Sequence, residues 1–142
     1  NELDCWRIGA ITMEFRVANK NDLHSIVRLL ADDELGSQRE RLEEPLPAVY
    51  YDAFNAMESQ IGNQIILAVE NQNVIGCLQL TIIPGLARQG MKRAQIEGVR
   101  VDRNYRGKRI GERIGERVKV FNCHFTKIYK FPPGIVPDSN LK

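Results

Sequence analysis

Between Ala94 and Val101 the apolar side chains change parity: Ala94 and Ile96 are even, Val99 and Val101 odd, and Gly98 stands at the change. A β-strand sends alternate side chains to opposite faces, so an apolar face changes parity only where an extra residue enters the strand. The segment therefore predicts either a bulge around Glu97-Gly98 or a strand that ends irregularly before a surface helix. A bulge would free backbone N–H and C=O groups for a ligand lying alongside. After a short turn at Asp102 to Tyr105, Arg106-Gly107-Lys108-Arg109-Ile110-Gly111 reads as a glycine-flanked helix start. The first turn of a helix has N–H groups with no intrahelical acceptor, and the helix dipole adds positive charge there, which suits a phosphate or pyrophosphate. A phosphorylated cofactor is expected at this point.

The run VRVDRNYRGKRIGERIGERV carries a family resemblance. It is similar to the acetyl-coenzyme-A motif of GNAT-type N-acetyltransferases, Q/R-x-x-G-x-G/A, with Arg106 and Gly111 in the first and last places. Arg109 stands where the family has its middle glycine. ADDELGSQRE, PLPAVYYDAF and IIPGLARQGMKRAQIEGVRV also resemble one bacterial branch of small, single-domain GNAT proteins, so that the resemblance covers Glu14 to Val118; GIVPDSNLK, beyond that span, resembles the same branch. The resemblance implies an α/β (α+β) fold: a mixed, mostly antiparallel sheet flanked by helices, with the coenzyme in a cleft beside the bulged strand. It also implies that a further strand, a helix bearing a tyrosine near the coenzyme sulfur and a last hairpin follow the basic helix. Lys119 to Lys142 are too few for all three. Within them Lys127 to Phe131 resembles the tyrosine segment, as though an intervening strand were lost.

A chain of 142 residues, 43% hydrophobic, suits one compact domain. The expected division is an N-terminal extension over residues 1–12 and one N-acetyltransferase-like domain over 13–142, of which 119–142 form an atypical tail. No apolar run approaches the ~20 residues that cross a bilayer, and the first residues lack the pattern of a secretory signal, so no membrane partner and a cytoplasmic location are expected. Cys5, Cys77 and Cys123 have no CxxC spacing, which supports neither a disulfide framework nor a metal site. Residues 100–119 hold eight basic and three acidic side chains, a net of +5 in a chain of net +2, leaving −3 elsewhere. This basic helix suits a phosphate clamp at Arg106 and Lys108, an ordinary solvated face, or a nucleic-acid patch; the missing interleaved aromatics weigh against the last.

Along the chain, Met13 to Ala18 reads as a strand, and Asn21 as the cap of a helix with Leu23, Ile26, Val27 and Leu30 at i, i+3, i+4 and i+7. Pro47 suits a helix start, and Tyr50, Ala53, Phe54, Met57 and Ile61 mark its stripe. Ile65 to Val69 and Val74 to Ile83 form a hairpin, Leu86 to Lys92 a loop, and Ile110, Ile114, Val118 and Phe121 the inner face of the basic helix. Gly115 disfavours that helix unless it allows close packing on the sheet.

The activity implied by the resemblance is direct transfer of an acetyl group from acetyl-coenzyme A to a primary amine of a small molecule or peptide. The amine must be neutral to attack, so a base or water relay is needed, with donors for developing oxyanion charge and an acid for the thiolate. Glu97 is the candidate base; the competing reading pairs it with a neighbouring Arg or Lys. The N–H near Val99 is the candidate oxyanion donor and Tyr129 the candidate acid. The candidate cofactor-binding residues are Val99, Arg100, Val101, Arg106, Gly107, Lys108, Arg109, Ile110 and Gly111, with no metal. Asp32, Asp33, Glu34, Glu43 and Glu44 lie where the family often builds its acceptor site, and they suit either an amine or a solubilised loop. A catalytically weak coenzyme-A-binding module is the alternative function, a nucleic-acid-binding domain a distant one, and a homodimer an open expectation.

Overall fold

The computed structural model describes the backbone of residues 5–8, 11–121 and 127–130, with side chains over residues 13–117. Six strands form one sheet in chain order: β1 (Cys5–Ile8), β2 (Ile11–Val17), β3 (Asn63–Glu70), β4 (Asn73–Ile83), β5 (Arg93–Val101) and β6 (Lys127–Lys130). Neighbours are antiparallel as far as β5, and β6 runs parallel to it. The helical elements are α1 (Leu23–Leu30), α2 (Glu34–Arg39), α3 (Ala48–Ser59), the short turn α4 (Ala87–Gly90) and α5 (Ile110–Phe121).

The mixed fold with its mostly antiparallel sheet agrees with the expectation. β3 and β4 are rich in Ile, Leu and Val, and Asn71 and Gln72 between them both take positive φ, as a tight hairpin turn requires. One sheet face packs Leu67, Val69 and Cys77 against Ile26 and Leu29 of α1. The other packs Ile66, Leu78, Leu80, Ala94 and Ile96 under Ile110 and Ile114 of α5. Each large apolar side chain buried this way contributes about 2 kcal/mol.

Several local expectations need correction. The cap before α1 is Asn19, not Asn21: its side chain accepts from the Asn21 N–H at 2.9 Å, while the Asp22 carboxylate accepts from the Asn19 N–H at 2.8 Å. This reciprocal cap orders a 3-10 turn, Lys20–Asp22, that leads into α1. Of the α3 stripe only Phe54 is fully buried; Ile61 is 99% exposed because the helix ends at Ser59 and Gln60 is extended. Gly115 has open space about its Cβ position and permits no close contact; the close approach is at Gly76, where a Cβ would lie 2.8 Å from Ile114 Cδ1. Cys5–Ile8 lies within the expected extension, and its pairing with β2 adds a strand there without deciding that division. Lys127–Lys130, set by resemblance against a tyrosine-bearing helix, is a strand that pairs Arg93↔Lys127 through Ile96↔Lys130. The Val118, Phe121 and Tyr129 side chains and the Gly134 to Lys142 segment lie outside the described residues.

Candidate active site

In the β4–β5 ladder Cys77 pairs with Arg100 and Gln79 with Glu97, so Gly98 and Val99 together face the single residue Leu78. This is the extra residue that the parity change requires. Gly98 has φ +61°, a conformation that costs a residue with a Cβ roughly 1–2 kcal/mol. The buried Cys77 thiol lies 3.7 Å from the Gly98 carbonyl oxygen, and burial pushes it up to about 12, so it remains a protonated donor. Beyond the bulge the Asp102 N–H donates to Ile75 C=O at 2.8 Å. The alternation of an antiparallel ladder then turns the N–H and C=O of Val101 away from β4. Pairing with β6 extends along β5 only as far as Ile96, so no described strand pairs with that side of Glu97 to Val101; the Val99 and Val101 carbonyls there accept from Arg100 Nη1 at 2.9 Å and from Arg106 Nε at 3.1 Å.

The helix start closes on this edge. Gly107 and Arg109 have φ of +79° and +58°, and Arg113 N–H bonds Arg109 C=O at 3.1 Å. Helical bonding thus begins at Arg109, and the amides of Ile110, Gly111 and Glu112 have no intrahelical acceptor. A Cβ at Gly111 would sit 3.6 Å from both Val99 Cγ1 and Val101 Cγ2, so strand and helix meet there. The Ile110 side chain belongs to the core, which leaves its backbone as the part available to a ligand. Lys108 Nζ lies 5.1 Å from the centre of the Tyr105 ring, and Arg109 Nε 3.8 Å from Glu112.

Arg106 is more engaged than a simple clamp. Its Nε donates to Val101 C=O at 3.1 Å and its Nη2 reaches Asp32 Oδ2 at 3.4 Å. Asp32 also accepts from Arg103, through Nε at 2.8 Å, through Nη2 and through the backbone N–H at 3.3 Å. Those contacts, the side-chain hydrogen bond from Arg103 foremost, hold the Asp32 carboxyl below the usual carboxylate range. Asp33 caps α2 by accepting from the Gly36 N–H and lies 3.5 Å from Arg100 Nε. Gly36 is required there, since a Cβ would fall 1.9 Å from Leu30 O.

A cavity of about 620 Å³ is lined by Asp32, Asp33, Glu34, Ser37, Arg103 and Arg106, and so joins the α1–α2 loop to the helix-start loop. Of the five acids singled out in the sequence, three meet here. Glu43 instead pairs with Arg41 at 2.7 Å, and Glu44 lies 3.4 Å from His24. Arg103 and Asp32 became partners across 71 positions of sequence, a pairing that no local pattern signals.

Glu97 alternates with Ala94 and Ile96 and so lies with Gln95 on the α1 face of β5. It is half-buried and accepts from Gln95 Nε2 at 3.4 Å; among the described residues no Arg or Lys pairs with it. The backbone of Tyr129 pairs with Gln95 in the sheet.

A bulged strand, an edge of that strand with no described strand partner and the start of α5 meet here. The description of the acetyltransferase (GNAT) family matches residues 23–120, and this chain belongs to that family, whose members use acetyl-coenzyme A for acetyl transfer. Among solved structures, a transcriptional regulator from Bacillus halodurans is similar at 38% identity and TM-score 0.75, over 87% of this chain and 83% of its own. An acetyltransferase from Trypanosoma brucei shares 24% identity at TM-score 0.68, over 86% and 84%. Glucosamine-6-phosphate N-acetyltransferase from Arabidopsis thaliana shares 19% at TM-score 0.69, over 87% and 84%. No curated protein matches. No described helix is long and apolar enough to cross a membrane.

Proposed function

We propose that the chain moves an acetyl group from acetyl-coenzyme A to a primary amine of a small molecule or peptide by direct attack. The observation that supports this reading is the bulge itself, after which β5 has no described strand partner on one side and its Val99 and Val101 side chains meet α5 at Gly111. Acetyl-coenzyme A would supply the activated acetyl group as a thioester. The amides of Ile110 and Gly111, with Arg106, Lys108 and Arg109, would hold its phosphates, and Gly107 lets the loop turn into the helix. The backbone of Val99 and Val101 would hold the extended arm of the coenzyme as one more strand-like partner, while Arg100 between them turns its own N–H and C=O toward Cys77 of β4. The Val99 N–H is aimed by its own peptide, whose carbonyl at Gly98 is fixed by Cys77, and would donate to the carbonyl oxygen as charge develops there. Glu97 would take the proton of the amine, directly or through water, and Tyr129 is the proposed acid for the thiolate.

Nucleic-acid binding, suggested by the description of the Bacillus halodurans neighbour, has less support. Arg100, Arg103, Arg106 and Arg109 each face a carboxylate within 4 Å, so much of the basic run is already neutralised.

The test is amine-dependent release of coenzyme thiol by wild type and Glu97→Gln. The variant should lose about 10²-fold in turnover at neutral pH while binding acetyl-coenzyme A as before, and the loss should shrink at high pH, where the amine is already neutral. Full activity of the variant near neutral pH would remove Glu97 from the chemistry.

A further inference from the structure

Arg103 lies outside the glycine-flanked loop, and its side chain is two-thirds exposed, yet it supplies most of the hydrogen bonds to Asp32. Among the described residues Asp32 is the carboxylate that also reaches Arg106, the first residue of the phosphate motif. Its side chain is 15% exposed and lines the cavity that opens beside that loop. The sharing is unequal. Arg103 forms a close two-nitrogen contact with Oδ1, while Arg106 touches Oδ2 at 3.4 Å and keeps its shorter bond, 3.1 Å, for Val101 C=O. A carboxylate beside a phosphate site repels the ligand and competes for its cations, so whatever neutralises Asp32 sets how much of Arg106 a phosphate can use.

We propose that Arg103 is a positioning residue for coenzyme binding that acts through Asp32: it holds and neutralises that carboxylate, leaving the Arg106 guanidinium for the phosphates. Arg103 itself does not touch the coenzyme. This rests on the proposed function and extends it. Without Arg103, Asp32 turns to Arg106, its remaining neighbour, and the phosphate site loses a cation. Removing Asp32 as well relieves that competition. The α1–α2 loop, which carries Asp32, is thereby linked to the helix-start loop across the cavity.

The test is a double-mutant cycle on coenzyme A affinity, measured by calorimetry at fixed, low ionic strength. Arg103→Gln should weaken binding about fivefold. Adding Asp32→Asn to that variant should restore affinity to at least the wild-type value. As a second readout, turnover with S-acetylpantetheine, the thioester arm without the phosphates, should be equal in wild type and Arg103→Gln. Binding equally weak in the single and double variants would place Arg103 on the phosphate directly and overturn the inference. So would unchanged affinity in Arg103→Gln, or a matching loss with S-acetylpantetheine, which would mark a merely structural role. A wild type that binds no coenzyme would instead overturn the proposed function itself.

Discussion

Arg109 holds φ at +58° where the family motif has glycine, so at this position the backbone favours one residue and the charge of a phosphate another. A left-handed residue with a Cβ carries roughly 1–2 kcal/mol of strain, while glycine returns part of that gain as freedom of the unfolded chain. Arg109→Gly should therefore raise stability by about 0.5–1 kcal/mol in denaturant melts. The same variant should bind acetyl-coenzyme A more weakly, because a cation is lost from the loop. A lower stability would show that the Arg109 side chain, 3.8 Å from Glu112, contributes more than its backbone costs.

At the scale of elements, β2 and the start of α1 are joined by Arg16 and Asp22, whose side chains form two hydrogen bonds of 2.8 Å while Asp22 also accepts the Asn19 N–H. The hydrogen bond from Arg16, above all, holds the Asp22 carboxyl below the usual range. A carboxyl with a depressed folded pKa adds stability above its unfolded pKa, near 3.9, and loses it as pH falls through the lower folded value. Asp22→Ala should thus cost about 2 kcal/mol at neutral pH, and the difference from wild type should vanish only below about pH 4. A gap that persisted unchanged to pH 2 would mean that the contact acts by packing alone.

The elements also show what was legible in the sequence. The bulge was readable because strand parity is a strict rule and Ala94, Ile96, Val99 and Val101 break it. The β3–β4 hairpin and the Ile110–Ile114 face of α5 were readable for the same reason of period. Asn19 was missed although the spacing of Asn19 and Asp22 is itself a capping signal. Ile61 was misread because apolar spacing says nothing about where Gln60 ends the helix. Beyond these local rules, the Asp32–Arg103 contact and the pairing of Cys5–Ile8 with β2 depend on which distant segments the sheet brings together.

For the whole molecule, the net charge of +2 conceals a division of labour. Arg100, Arg103 and Arg106 pair with the acids of the α1–α2 loop beside the cavity, and the phosphate site we propose lies at the start of α5. The fold and the cleft require α5 to begin against the bulged strand, and Gly111 is where the two touch. A β-branched side chain there would fill the space between Val99, Val101 and the first helical amides. The most direct measurement is calorimetric titration of acetyl-coenzyme A, without metal, into wild type and Gly111→Ile, with both proteins confirmed as folded. Binding by wild type at one site, weakened tenfold or more in the variant, about 1.4 kcal/mol, is the result expected. Equal affinity in the two proteins would contradict the placement of the coenzyme in this cleft.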